Sequence, residues 1–207
     1  AVLGVGGLGH LALQLSRAVG LETWAITGQA DKRAELTAMG ASEVLVSGAD
    51  PGKAMTDAGG FDVILSTTNS AKQIASAFGG LRPGGKLGLV WNVRDESVDW
   101  VAELTTIITP YEGDAPRFYK GDWRKPFPHS GFSPLVETRL PHEHVGPPQQ
   151  VIVDRFMSIS FIAALPDAER AAVRAQIEAL IQRHPALRGQ DTVRFPYTTL
   201  ACHCERV

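Results

Sequence analysis

The stretch AVLGVGGLGHLALQLSRAVG, residues 1–20, decides the fold, because a short apolar run ends in closely spaced glycines and a helical segment follows. Glycine permits a tight turn and lets a ligand approach the backbone closely, and the start of the following helix presents free N–H groups to a diphosphate. The alternative is a tight turn that binds nothing. We predict that the turn holds a nucleotide cofactor through Gly4, Gly6, Gly7, Leu8 and Gly9.

Strands and helices alternate over residues 1–90. The apolar segments TWAIT, EVLV, FDVILS and KLGLVW are separated by short helical stretches and turns. Strands joined in this way by right-handed crossovers form a parallel sheet with helices on both faces. We therefore expect the α/β class, with one doubly wound, Rossmann-like domain over residues 1–207.

The second half of the chain has a different pattern. Residues 98–108 and 167–184 are expected to form helices, and so is the whole of 149–164. The Pro-rich stretch 109–133 is a candidate lid or substrate loop. The segment PLVETRL predicts a sixth strand, and residues 191–207 predict a last strand that Pro196 interrupts or places at an edge.

The end of the second strand bears on the choice of cofactor. NAD-binding proteins place an acid there for the ribose diol, but Thr27 and Gly28 occupy that position here. Lys32 follows within a turn, and a small polar pocket with a cation favours a 2′-phosphate, hence NADP(H). The alternative is that Lys32 belongs to the solvated first turn of a helix.

Three segments resemble the cofactor domain of zinc-dependent, medium-chain alcohol dehydrogenases, closest to the NADP-preferring, cinnamyl-type branch. They are AVLGVGGLGHLALQLSRAVG, AITGQADKRAELTAMGASEVL and GFDVILSTTNSAKQIASAFGGLRPGGKLGLV, so the likeness covers about residues 1–90. It implies that the glycine turn holds the pyrophosphate and that Thr27, Gly28 and Lys32 hold the 2′-phosphate. It places Ser66, Thr67 and Asn69 near a ribose. The zinc ligands of that family come from a domain preceding the glycine turn, so no zinc is expected in this chain.

Residues 82–207 resemble the C-terminal part of class I S-adenosylmethionine-dependent methyltransferases that act on small molecules. The stretches are LRPGGKLGLVWNVRDESVDWVAEL, PHEHVGPPQQVIVDRFMSISFIAALP and HPALRGQDTVRFPYTT. The likeness implies an αβα sandwich with an antiparallel C-terminal strand and an acceptor pocket, which we assign to Trp91, Asn92, Trp123 and His129. The acids that this family places before the glycine turn and after the second strand are missing. The chain thus looks chimeric, with a dehydrogenase-like half at 1–90 and a methyltransferase-like half at 91–207.

The net charge and residue composition of the chain limit the classes of partner that it is expected to bind. The formal net charge is -2, which supports neither nucleic acid nor an anionic membrane as a partner. His142, Glu143 and His144 alternate on a strand, as do Cys202, His203 and Cys204, and neither set offers enough ligands on one face for a metal. We expect a small-molecule substrate and a cytoplasmic location, with a homodimer as an open alternative.

Three interpretations of function follow. The first is a Rossmann-type protein that binds NADP(H) and is oxidoreductase-like, without a zinc catalytic domain of its own. The second is a methyltransferase that uses S-adenosylmethionine. The third is a folded chimera with no turnover, because the chemistry of each family was left behind.

Overall fold

The computed structural model describes residues 1–48, 50–114 and 116–207. Seven strands form one sheet in the order β3-β2-β1-β4-β5-β7-β6. The strands are β1 (Val2–Leu3), β2 (Trp24–Thr27), β3 (Glu43–Val46), β4 (Phe61–Ser66), β5 (Leu81–Arg94), β6 (Val136–Gly146) and β7 (Val193–Glu205). The α/β, Rossmann-like class and the mostly parallel sheet are confirmed.

Short helices connect the strands. They are α1 (Gly9–Ala18), α2 (Arg33–Ala38), α3 (Pro51–Asp57), α4 (Ala71–Gly79), α5 (Asp99–Ile108), α6 (Arg155–Met157), α7 (Ser160–Ala163) and α8 (Asp167–Arg183). Helix α3 was not predicted from the sequence. Its signal is the pair Asp50 and Pro51, because the Asp50 carboxylate accepts the N–H of Lys53 (3.0 Å) and proline suits the first helical position.

The strands from β3 to β5 pair in parallel. Val2 of β1 lies in register with Ala25 of β2 on one side and with Leu65 of β4 on the other. β1 therefore lies between β2 and β4, and the glycine turn starts at the carboxyl end of this inner strand. This is the edge where doubly wound sheets bind ligands.

Strand β7 runs antiparallel to β5, as expected. Arg206 donates its N–H to the carbonyl oxygen of Gly85 (2.9 Å), and Asp95 donates its N–H to the carbonyl oxygen of Pro196 (3.1 Å). Residue numbers thus increase along one strand as they decrease along the other, which is the antiparallel arrangement. The expectation that Pro196 interrupts the last strand or sits at a sheet edge was wrong. In an antiparallel ladder a residue's N–H and C=O face the same neighbour. The missing N–H of Pro196 therefore faces only Asp95, just beyond the end of β5.

One prediction about the second half needs correction. Residues 149–164 do not form one helix: a π-helical turn (Gln149–Asp154) leads into α6, and Ile159 is extended (φ -63°, ψ 129°) before α7 begins. Ile159 packs against the buried cluster around Phe156, which explains the break. The described residues of the stretch 109–133 include three 3-10 turns (Thr109–Tyr111, Phe118–Lys120, Asp122–Arg124), and its role as a lid or substrate loop stays a prediction.

The chain divides into two compact units. Unit 1 comprises Ala1–Trp91, Pro116–Thr138 and Leu200–Val207, and unit 2 comprises Asn92–Ala115 and Arg139–Thr199. A buried cluster in unit 1 includes Leu13, Leu36 and Val44. The cluster in unit 2 includes Leu104, Phe156, Ile177 and Phe195.

At one edge of the sheet, β6 is exposed along its length from Val136 to Val145. Throughout the described ranges, no helix is both long and apolar enough to cross a membrane.

Candidate functional site

The glycine turn joins β1 to α1 by close backbone contact. Gly4 has a φ of +88°, a conformation that side chains other than glycine rarely adopt. A Cβ on Gly9 would lie 2.0 Å from the carbonyl oxygen of Gly4, so only glycine fits at the start of α1. Thr67, after β4, donates its hydroxyl to the same oxygen (2.5 Å). The ends of β1 and β4 are therefore tied to the helix start.

A cavity of about 570 Å³ opens beside this turn. Its lining comes from the carboxyl ends of β1, β2 and β3 and from the segments that follow them, together with the start of α4. The lining residues are Leu3, Gly4, Val5, Gly6, Ile26, Thr27, Gly28, Gln29, Lys32, Ser47, Gly48, Pro51, Ser70, Lys72 and Gln73. The structure thus brings Gly4, Gly6, Thr27, Gly28 and Lys32 together around one cavity.

The charged side chains that line this cavity are both cationic. Lys32 and Lys72 line it, and the described lining residues include no carboxylate. At the end of β2 the Thr27 hydroxyl accepts the N–H of Gln29 (3.1 Å), and the Thr27 carbonyl accepts the N–H of Ser47 (2.8 Å). Two lysines that line a cavity beside a glycine turn can bind a phosphate or a carboxylate.

Lys72 was not predicted from the sequence as a site residue. The Ser70 hydroxyl accepts the N–H of Gln73 and so begins α4, which places Lys72 in the first turn beside the cavity. The available signal was the rule that helices following parallel strands begin at the ligand-binding edge of the sheet.

Other predicted cofactor residues lie outside the cavity lining. Gly7, Leu8 and Gly9 lead from the turn into α1. The Thr67 hydroxyl donates to the carbonyl oxygen of Gly4. The Ser66 side chain is buried at the end of β4, and Asn69 lies in the following loop. The Ser66 Oγ and the Asn69 Oδ1 are buried without a hydrogen-bond partner among the described residues. Their predicted roles stay predictions.

The predicted acceptor residues fall into separate surroundings. The rings of Trp91 and Trp123 lie 4.4 Å apart, and both side chains are buried. His129 stacks on Phe78 (4.2 Å). Asn92 belongs to unit 2, where its Oδ1 accepts the hydroxyl of Thr199 (2.7 Å). The structure brings Trp91 and Trp123 into contact and pairs Asn92 and His129 with other residues.

The two alternating clusters of potential metal ligands engage in other contacts. Glu143 forms an ion pair with Arg194 (2.8 Å), and the His142 ring lies 6.0 Å from that of Tyr197. Cys202 and Cys204 are buried and are not joined in a disulfide, and burial raises the pKa of Cys204 to about 11. Across residues 1–48, 50–114 and 116–207, no group of three or more His, Cys, Asp or Glu side chains is arranged to hold a metal ion.

Comparison with known proteins finds two kinds of relative for one chain. The family model of zinc-binding dehydrogenases matches residues 7–108, which extends beyond the expected limit near residue 90. An aldehyde reductase of Synechocystis is 46% identical over 69 residues, or 33% of this chain and 20% of that protein. An uncharacterised methyltransferase-like protein of Schizosaccharomyces pombe is 33% identical over 126 residues, or 61% of this chain and 49% of that protein. Both predicted resemblances are confirmed, and the chain spans about half the length of the methyltransferase-like relative.

The solved structures that match resemble the whole chain. A candidate type II methyltransferase from Anaeromyxobacter dehalogenans superposes with a TM-score of 0.57 at 16% identity, covering 99% of this chain and 86% of the other. The sequence identity is low, so this likeness concerns the fold alone. The fold is the Rossmann-like α/β fold of methyltransferases, with one antiparallel strand near the C-terminus.

Proposed function

We propose that this chain is a nucleotide-cofactor domain that transfers a methyl group from S-adenosylmethionine to a small molecule. The observation that carries the proposal is the position of β7, antiparallel between β5 and β6. The doubly wound sheet that binds dinucleotides has the strand order 3-2-1-4-5-6. The name of the Schizosaccharomyces pombe relative supports the same function, which replaces NADP-linked oxidation or reduction as the leading interpretation.

The residues around the cavity fit S-adenosylmethionine in part. The turn at Gly4 and Gly6 leaves the backbone open to the ligand, and Thr27 and Gln29 offer a hydroxyl and an amide to a ribose diol. Lys32 and Lys72 carry the same sign of charge as the sulfonium, so this proposal assigns neither of them a contact with the cofactor. When bound, the cofactor supplies an electrophilic methyl group. The chain's own contribution, in this proposal, is to bind and orient it.

NADP(H) binding is the second candidate function, and the charge of the cavity favours it. Lys32 follows the end of β2, where no acid meets a ribose diol, and Lys72 adds a second cation. The match to zinc-binding dehydrogenases covers this same region. In this alternative, Gly4 and Gly6 approach the diphosphate and Lys32 binds the 2′-phosphate.

Separate calorimetric titrations of the chain with S-adenosylmethionine and with NADPH distinguish these functions. We expect saturable binding of S-adenosylmethionine, and release of S-adenosylhomocysteine when a panel of small acceptors is added. Binding of NADPH alone would overturn the proposal in favour of the second candidate. Binding of neither would favour a folded chimera without turnover.

Two substitutions of lysine by uncharged glutamine help to distinguish binding of S-adenosylmethionine from binding of NADPH. Lys32→Gln should weaken NADPH at least ~10-fold if that ligand binds, because a charge-assisted hydrogen bond is worth about 1.5–3 kcal/mol. The same change should leave the affinity for S-adenosylmethionine unchanged or slightly higher. Lys53→Gln is the matched control, since Lys53 is exposed on α3 and pairs with Asp57. A loss of S-adenosylmethionine binding in Lys32→Gln alone would contradict the assigned role of the glycine turn and Thr27.

A further inference from the structure

Helix α1 carries apolar side chains on two of its faces, and only one of these faces is buried. Ala12 and Leu13 lie on the buried face. At about 100° per residue, Leu8, Leu11 and Leu15 fall on a second face, roughly 120° further around the helix axis. A helix that only covers a sheet needs a single apolar stripe. The second apolar face is therefore not explained by packing within the chain.

The second apolar face of α1 is open to solvent. We call it the α1 stripe, and its members are Leu8, Leu11, Leu15, Ala18 and Val19. The exposed fraction of its large side chains runs from 42% at Leu8 to 74% at Val19. Together the five residues present a largely apolar patch on the order of 500 Å², a size that often marks an interaction site on a single chain.

The absence of charge from the α1 stripe limits the kind of partner that fits it. The polar side chains His10, Gln14 and Arg17 all lie on the remaining side of the helix. A helix that binds a membrane surface carries several Lys or Arg residues on its polar face, and a nucleic-acid site needs a basic patch. Helix α1 has one arginine. An uncharged apolar surface is complemented by another uncharged apolar surface, which a second copy of this chain supplies.

The spacing of the α1 stripe makes it complementary to itself. Leu8, Leu11, Leu15 and Ala18 follow one another at the alternating intervals of three and four residues that form a coiled-coil seam. A twofold axis perpendicular to the helix pairs two copies of α1 in antiparallel directions. Leu11 of one copy then lies opposite Leu15 of the other, and Leu8 lies opposite Ala18. A large side chain meets a small one at each end of the pair, which favours close packing.

We propose that the α1 stripe is the interface of a homodimer in which two copies of α1 pack antiparallel. The two patches bury a total on the order of 1,000 Å², which is less than the roughly 1,600 Å² of a standard interface. We therefore expect a weak dimer with a dissociation constant in the micromolar range. The side chains of the stripe do not line the cavity beside the glycine turn, so the dimer is independent of which cofactor binds there.

Sedimentation velocity of the full chain, at concentrations from about 1 to 200 µM, tests the dimer. We expect a shift from monomer to dimer as the concentration rises. Leu15→Glu should weaken the dimer at least ~10-fold, because its carboxylate would be buried against apolar side chains of the second copy. Leu140→Glu is the matched control, since Leu140 is an exposed leucine on β6, outside the stripe. A monomer at every concentration, or equal weakening by the two substitutions, would overturn the proposal.

A mixture of two variants tests the antiparallel direction and separates association from folding. Leu11→Lys alone should also weaken the dimer at least ~10-fold, for the same reason. An equimolar mixture of Leu11→Lys and Leu15→Glu should recover the dimer, because the antiparallel pairing places the new lysine opposite the new glutamate. Parallel helices would place each position opposite itself and form no such pair. A gain of association on mixing cannot arise from misfolding, and a mixture that stays monomeric would overturn the antiparallel interface.

A lipid surface is the other occupant that an exposed apolar helix face can have. Flotation of the chain with uncharged phosphatidylcholine vesicles tests it, and we expect the chain to remain in the vesicle-free fraction. A monomeric chain that floats with the vesicles, and no longer does so as Leu15→Glu, would overturn the assignment to a second copy.

Discussion

Gly9 shows at the scale of a single residue why the turn at the end of β1 requires glycine. The position of its absent Cβ is 2.0 Å from the carbonyl oxygen of Gly4, a backbone atom that also accepts the Thr67 hydroxyl. Nothing lies within 4 Å of the corresponding position on Gly7. Two glycines of one motif therefore serve different purposes, one for packing α1 against β1 and one for leaving open space.

We expect Gly9→Ala to lower the free energy of unfolding by about 3 kcal/mol or more, the upper range for a single substitution, because the helix start must move away from β1. Gly7→Ala, the matched control, should change it by no more than about 0.5 kcal/mol. Urea unfolding followed by circular dichroism measures both. Equal stability of the two variants would contradict the close contact between Gly9 and Gly4.

Cavity residues could be predicted from the sequence where they directly follow a recognisable strand. Thr27, Gly28 and Lys32 follow directly from the end of a strand that the sequence makes plain, and the structure places all three at the cavity. Lys72 was not predictable in this way. It reaches the cavity only because α4 starts beside β1, a neighbour that lies some seventy residues earlier in the chain.

At the scale of elements, the sequence predicts best where a pattern is complete within one segment. β3 and β4 have the predicted bounds, Glu43–Val46 and Phe61–Ser66. The prediction failed for α3, whose seven residues are too few to show a helical period but whose N-terminus is capped by Asp50. It also failed at Ile159, where burial in unit 2 overrides a helical pattern.

The cap of α3 should make stability depend on pH in the acid range. The backbone N–H of Lys53 and then the Ser76 hydroxyl hold the pKa of Asp50 below its ordinary value. The stabilisation is fully present above the unfolded pKa, about 3.9, and is lost as pH falls through the lower folded pKa. Asp50→Asn can still cap the helix but does not titrate there. Urea midpoints between pH 3 and 6 should therefore fall less steeply in Asp50→Asn, and an unchanged slope would contradict this role.

At the scale of the whole molecule, alternating strands and helices predict the parallel part of the sheet, from β3 to β5. The alternation does not predict that β7 enters between β5 and β6. That pairing joins residues more than a hundred positions apart, such as Gly85 and Arg206, and no local pattern records it. The antiparallel strand was expected only through the resemblance to methyltransferases, and the same long-range pairing places Pro196 in an inner strand.

Strand order also sets an expected ranking of hydrogen exchange. β1 and β4 have a neighbour on both sides, whereas β6 lies at the end of the sheet and is exposed. Backbone amides in β4 should exchange at least ~100-fold more slowly than those in β6, because local openings of edge segments require less free energy than opening the centre. Mass spectrometry of proteolytic fragments measures this ratio. Equal protection of β4 and β6 would contradict the strand order.

The exposed strand β6 has a consequence for how copies of the molecule meet. An open strand edge can template the addition of further strands, and continued addition yields insoluble fibres. Pro141, in the middle of β6, has no N–H to donate, and charged side chains at Glu137, Arg139 and Glu143 interrupt the apolar residues. A second chain that paired with β6 would receive no N–H from Pro141 and would have to desolvate these charges. These features of β6 therefore disfavour the addition of further strands at this edge of the sheet.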